Sequence, residues 1–243
     1  MSYVLIWSDE FDKGHLDLNK WQIDVGGGGF GNNEAQYYTD RSINCRIENE
    51  RLVIEAHKED YENRHYTSAK ITTYGKFSFK YGKLEVVAKL PHGKGTWPAV
   101  WLLPDSIKEG VKWPLCGEID VVEHVGRGQD VMHFSLHTGA YNHNLNSQYT
   151  SVHKLNGVSE EFKKYTMIWE EDYIEFKVDD VTLCRFTKGE DGKDASEKGW
   201  PFNQPFFLII NLAMGGNWGG EIDDRILPQK LEIEYVRIFE KRE

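Results

Sequence analysis

The sequence predicts an all-β protein: one domain, residues 1–243, built from two packed antiparallel sheets. Three observations lead there. Apolar and polar residues alternate with period two along much of the chain, the mark of half-buried strands. No stretch of ten or more residues carries the helical period. No Pro- or Ser-rich linker, repeat or composition break divides the 243 residues, a length that β-sandwiches reach as single domains.

In chain order, RLVIEAHK (51–58), GKFSFKYG (75–82) and GKLEVVAKL (82–90) read as strands filled with β-branched and aromatic residues. YIEFKVDDVTLCRF (173–186) reads as a hairpin turning on Asp179-Asp180, where Asp meets the required positive φ less readily than Gly. FFLIINLAM (206–214) is apolar throughout and fits a strand covered on both faces. LEIEYVRIF (231–239) reads as the last strand. GGGG (26–29) and GGNWGG (215–220) read as loops, and GEDGKDASEKGW (189–200) as a polar connection with at most one helical turn.

A formal charge of −10 argues against nucleic acid or an anionic membrane as partner and suits a neutral ligand. No apolar run approaches the roughly 18 residues of a membrane span. Met1 leads through Ser-Tyr-Val-Leu-Ile-Trp into acidic residues with no basic leader. The chain is therefore expected to be cytoplasmic, or the mature part of an exported protein. Cys45, Cys116 and Cys184 lie far apart and are expected to be buried thiols, neither a disulfide framework nor a zinc site.

GEIDVVEH (117–124) places Glu118, Asp120 and Glu123 within six residues. On a helix, at about 100° per residue, they would scatter around the axis and share no site. On a strand, Glu118 and Asp120 point to one face and Glu123 to the other. A β-bulge across Val121-Val122 returns Glu123 to the shared face, and bulges are enriched beside active sites because they re-aim side chains. Two competing readings follow: a solvated acidic stripe, or a site. The apolar flanks Ile119, Val121 and Val122 favour a central strand, where like charges are costly and function is the usual compensation. Four strand steps separate the Glu backbones by about 13 Å, whereas a retaining glycosidase holds its carboxyls about 5–5.5 Å apart. Side chains leaning inward on a concave sheet would close that gap.

At these residues the chain resembles the glycoside hydrolase family 16 β-glucanases, the laminarinase and lichenase relatives. Their Glu-x-Asp-x-x-Glu strand stands here as Glu118-Ile119-Asp120-Val121-Val122-Glu123. WSDEFD (7–12), NNEAQYYT (32–39), GTWPAVWLLP (95–104), WPLCGEIDVVEHVG (113–126), HFSLHTGAYNH (133–143) and PFFLIINLAMGGNWGG (205–220) follow in family order and cover nearly the whole chain. The resemblance implies a β-jelly-roll sandwich, concanavalin-like, with a substrate cleft along its concave sheet. It implies retaining hydrolysis of internal β-1,3 or mixed-linkage β-1,3/1,4-glucan bonds, with Glu118 as nucleophile and Glu123 as general acid/base. Asp120 would orient Glu118 or share its proton, so the three should titrate as a set.

Trp97, Trp101, Trp113 and Trp218 fall in the matching blocks and are expected to stack on sugar faces. Trp97 and Trp101, four apart on a strand, share one face. Trp7, Trp21, Trp169 and Trp200 are assigned to core or loop packing. His137 matches the histidine beside the catalytic strand, His133 shares its face, and His124 should face away. Asn32, Glu34 and Asn211 are candidates for hydroxyls at outer subsites. Lys70 stands where relatives often carry Arg, as does Lys83 or Val87, which replaces a planar fork with a point charge or nothing. Relatives often bind a structural calcium on the convex side, partly through an Asp near the last strand; here Glu234 stands in its place, and Glu10 and Glu50 lie where carbonyl ligands would come from. No cofactor is expected for catalysis. The expected partner is a neutral β-glucan, and the expected state a monomer; because that substrate is a polymer outside the cell, the expected location is extracellular or periplasmic. Three rivals stand beside this reading. A glucan lectin and a transglycosylase share the fold. A metal cluster of Glu118, Asp120, Glu123 and His124 would need His124 on the wrong face.

Overall fold

The computed structural model describes residues 2–242. Seventeen strands dominate. The first six are β1 (Ser2–Asp9), β2 (Gln22–Asp24), β3 (Gln36–Tyr38), β4 (Cys45–Ile47), β5 (Leu52–Tyr61) and β6 (Arg64–Ser68). The middle of the chain forms β7 (Lys70–Thr72), β8 (Gly82–Lys89), β9 (Thr96–Pro104), β10 (Glu118–His124), β11 (Val131–His137) and β12 (Tyr149–Lys154). The last are β13 (Lys163–Trp169), β14 (Tyr173–Val178), β15 (Val181–Thr187), β16 (Phe206–Met214) and β17 (Gln229–Arg242).

They form two sheets. The ten-stranded sheet runs β15-β14-β13-β8-β17-β5-β6-β3, with β1 also on β17 and β4 also on β5. The seven-stranded sheet runs β12-β11-β10-β9-β16-β7-β2. Strand pairs are antiparallel except β3–β6, which is parallel because the chain makes β4 and β5 before returning beside β3. Trp21, Leu84, Ile119, Phe134, Trp169 and Ile210 are among the side chains that fill the space between the sheets. Jelly-roll architecture follows from these two layers.

β16 meets its expectation: all nine residues are buried. Leu208, Ile210 and Leu212 face the main core, while Phe207 and Ile209 join Leu103 in a second cluster on the opposite face. At the β14–β15 hairpin, Asp179 and Asp180 take φ of 49° and 67°, the two positive values of a type I′ turn. The Asp179 carboxylate accepts from the Lys164 N–H at 2.9 Å, which compensates the choice of Asp over Gly. Trp21, Trp169 and Trp200 are buried, and Trp7 packs half-buried against them, as expected.

Three readings change. GKFSFKYG (75–82) is not a strand: Lys76 and Phe77 N–H both donate to Thr73 O in a turn, and within 75–81 only Phe79 makes a bridge, to Phe206. Its alternating pattern arises because Phe77, Phe79 and Tyr81 stack in a line with Trp7 and Trp169. Residues 215–220 hold one helical turn, Gly216–Gly219. Cys45 and Cys116 are buried, but Cys184 is half-buried because β15 is a sheet edge. Among the described residues no helix is long and apolar enough to cross a membrane.

Candidate active site

β10 is bulged where its acidic spacing requires. Against β11, Asp120 pairs with Ser135 and Glu123 with His133, so β10 advances one residue more than its partner. Against β9, Asp120 pairs with Trp101 and Val122 with Val100, which makes Val121 the extra residue. Ile119, Val121 and Val122 are then all buried in the core. Glu118, Asp120 and Glu123 all line a cleft of about 400 Å³ on the outer face of the seven-stranded sheet. Gly117 enters the strand at φ +92°, and a Cβ there would lie 2.8 Å from Pro201, so only Gly lets the chain turn into Glu118.

Burial sets the electrostatics. It pushes Asp120, 3% exposed, up to about 8. Glu123 also rises to about 8 through burial and then the charge of Asp120, opposed by His137 and by the Trp97 N–H. Glu118 is driven well above the usual carboxylate range by burial and Asp120, with His137 opposing. His137 Nε2 lies 3.3 Å from Asp120 Oδ2 and 3.8 Å from Glu118 Oε1. Glu118, Asp120 and His137 bring one ligand-type atom each within 4.8 Å of one another, so among the described residues this trio is a group that could hold a cation. His124 points into the core; both ring nitrogens lack a partner among the described residues, and burial lowers its pKa to about 4.

Aromatic and amide groups build the walls. Trp97 Nε1 donates to Glu123 Oε1 at 3.2 Å. Trp101 Nε1 donates to Asn211 Oδ1 at 2.7 Å, and Asn211 Nδ2 donates to Tyr38 OH at 3.0 Å. Tyr38 OH and Gln36 Nε2 both donate to Glu34 Oε2, at 3.2 and 2.6 Å. Glu34 is buried and its pKa raised by that burial, against the two donors. The Lys70 ammonium lies over the Phe30 and Trp101 rings, at 5.1 and 5.7 Å, and 3.3 Å from Asp24.

Of the residues expected at the site, Asn32, Glu34, Trp97, Trp101, Trp113 and Asn211 line the cleft with the acidic triplet. His137 sits behind the triplet and 5.9 Å from Trp113. Trp218 flanks Trp97, edge-on to it at 5.4 Å and to His133 at 4.8 Å. Lys83 and Val87 lie on β8 in the other sheet, so neither reaches the cleft. Phe30, Tyr38, His143 and Asn144 also line it and were not anticipated. Phe30 comes from a loop, and His143 and Asn144 from a single 3-10 turn, His143–Leu145, where period carries no signal. Tyr38 lay in a quoted block but offered no residue-type cue. On the opposite sheet, the Glu10 carboxylate is held by Arg237 at 2.8 and 3.0 Å, and Glu234 by Arg51 at 3.1 Å. Those two carboxylates do not fit a calcium as placed; backbone oxygens would have to supply its ligands.

The profile of Glycosyl hydrolases family 16 matches residues 31–237. A β-glucanase of Rhodothermus marinus is 46% identical over 98% of this chain and 85% of its own length. Three further curated relatives are spanned over only 34–55% of their lengths. The crystal structure of the laminarinase from Rhodothermus marinus superposes with a TM-score of 0.95 at 45% identity, covering 100% of this chain and 99% of that one. A mutant of a non-specific endo-β-1,3(4)-glucanase, co-crystallised with 1,3-β-D-cellotriosyl-glucose and presenting 1,3-β-D-cellobiosyl-glucose at its active site, gives 0.91 at 38% identity, covering 98% and 95%. The family match, the sequence identity and the similarity of fold agree, and the chain belongs to glycosyl hydrolase family 16.

Proposed function

We propose that this protein is a retaining endo-β-glucanase that hydrolyses internal β-1,3 or mixed β-1,3/1,4-glucosidic bonds. The observation that carries the reading is the bulge: it turns Glu118 and Glu123 to one face, inside a cleft walled by Trp97, Trp101 and Trp113. The names of the similar glucanases support the substrate class.

Glu123 holds its proton at neutral pH and gives it to the glycosidic oxygen as the C1–O bond breaks. A Glu118 oxygen bonds to C1 from the opposite face, forming a glycosyl ester. Asp120 sits beside Glu118, and His137, 3.3 Å from Asp120 and 3.8 Å from Glu118, is the neighbour that favours the ionised Glu118. Once Glu118 is an ester its charge is gone and the acidity of Glu123 rises. Glu123 then takes a proton from water, which attacks C1 and releases Glu118. No step needs a metal.

Reducing-sugar release from laminarin, barley β-glucan, lichenan, agarose and xyloglucan, with Glu118→Gln beside the wild type, tests this. Release from one glucan, lost in the variant, is expected. Binding without release in both proteins would replace the hydrolase with a lectin, and chain transfer to added oligosaccharide would replace it with a transglycosylase.

A polymeric substrate implies action outside the cell, after export, and the protein should elute as a monomer in size-exclusion chromatography. A convex-side calcium would rest on backbone oxygens near Glu10 and Glu50; metal analysis before and after chelation, with the melting temperature, checks it.

A further inference from the structure

Strand register turns the outer face of the seven-stranded sheet into a grid. One row crosses from Glu123 through Ala99 and Asn211 to Lys70 and Asp24. The next crosses from Asp120 through Trp101 and Ile209 to Thr72 and Gln22. Leu103 and Phe207 pair in a third. The cleft follows the first row and the Trp101 end of the second, and touches Leu103 at the edge of the third. Beyond Trp101 the face becomes apolar: Leu103, Phe207 and Ile209 form a cluster against which Tyr74 and Ile107 pack.

A second cavity, of about 190 Å³, opens over that cluster. Lys70, Leu103 and Ile107 line both spaces, so the two adjoin. Their directions differ. The cleft crosses the strands, whereas this annex leaves it along them, from Asn211 toward Phe207. A main chain following the cleft would pass the annex by.

The annex has an apolar floor and a polar rim of Gln22, Asp24, Lys70 and Lys108. Tyr74 stands edge-on to Phe207 at 5.1 Å, with the Lys108 ammonium 5.2 Å from its ring. Apolar C–H faces ringed by hydroxyls are the chemistry of a pyranose, and few polar groups around an apolar floor is how such sites are built. The space equals the liquid volume of about six waters, enough for one ring and too little for a second chain.

We propose that the annex holds a single sugar substituent branching from the glucan in the cleft, a glucosyl group on a primary hydroxyl. This rests on the glucanase reading. A linear chain leaves the annex to water; a branched chain buries its side sugar on the Leu103–Phe207–Ile209 floor, and the branch selects the register in which the backbone lies.

Calorimetry with the Glu118→Gln protein compares a linear β-1,3-gluco-oligosaccharide with the same backbone bearing one glucosyl group at O6. The branched ligand is expected to bind at least fivefold more tightly. Tyr74→Ala with Lys108→Ala, both outside the cleft lining, should remove that gain and leave the linear ligand unchanged. Equal binding of the two ligands, or a gain that survives the double substitution, overturns the annex and leaves the glucanase reading standing. Binding of neither ligand overturns both. Gln22→Trp, at an exposed rim position, is the second variant: by filling the mouth it should weaken only the branched ligand, and equal effects on both would also overturn the annex.

Discussion

On the inner face of β10, Ile119, Val121 and Val122 are fully buried among side chains of both sheets. On the outer face, Glu118, Asp120 and Glu123 are crowded beside one another with His137 as their basic neighbour. One strand thus carries a stabilising face and a face that repels itself. The difference teaches what the bulge is for. With regular pleating, Glu123 would point into the core and Val122 into the cleft. The extra residue assigns every apolar side chain to the core and every acid to the site.

The largest effects should come from the outer face. Glu123→Gln is expected to lower kcat by about 10²–10⁴-fold, with a smaller loss on a substrate whose leaving group needs no proton. Glu118→Gln should lose more, with every leaving group. Steady-state kinetics on polymeric and aryl glycosides separates the two; equal losses on both substrates for Glu123→Gln would remove it from the acid role.

The inner face should answer in stability. Ile119→Ala should cost about 2–5 kcal/mol in denaturant unfolding and leave KM within twofold. A full loss of activity at retained stability would mean the two faces are not separable.

Trp97→Phe deletes the N–H that Glu123 accepts. As Glu123 gives up its proton this becomes a hydrogen bond to a charged group, worth about 1.5 kcal/mol, so kcat should fall about tenfold. The bond favours the ionised form; its loss should move the alkaline limb of the pH profile upward. An unmoved limb would assign Trp97 to packing alone.

The smallest effect separates the faces by sign. Asp120 and Glu123 are raised from ordinary carboxylate values to about 8, so the folded state holds protons that the unfolded state has lost. Stability from these groups is present below about pH 4 and is lost as pH rises toward 8. His124 is lowered to about 4, so its contribution is lost as pH falls from about 6.5 through 4. Glu123→Gln should therefore raise the melting temperature by about 2–4 °C at pH 8 and less at pH 5. His124→Gln should flatten the acid side. A Glu123→Gln gain that grows on acidification would contradict the assigned pKa direction.

The parity of Glu118, Asp120 and Glu123 was enough to place the bulge, and the uninterrupted apolar run of 206–214 was enough to place a doubly covered strand. Short strands such as β2, β3 and β7 left no pattern, because three residues cannot display a period. The aromatic line of 75–82 misled, since alternation records which side faces the core and not whether a ladder forms. Trp218 was visible as a site-block residue, but its place beside Trp97 depends on the turn Gly216–Gly219 docking beside Glu34, a long-range contact.

The central claim is that the bulge delivers a nucleophile and an acid/base for double displacement. Proton NMR of the first product released from a β-1,3-gluco-oligosaccharide, recorded before mutarotation, tests it most directly. The account predicts the β-anomer first, with the α-anomer appearing only as the sugar equilibrates. The α-anomer first would mean direct attack by water, and Glu118 would not be a nucleophile.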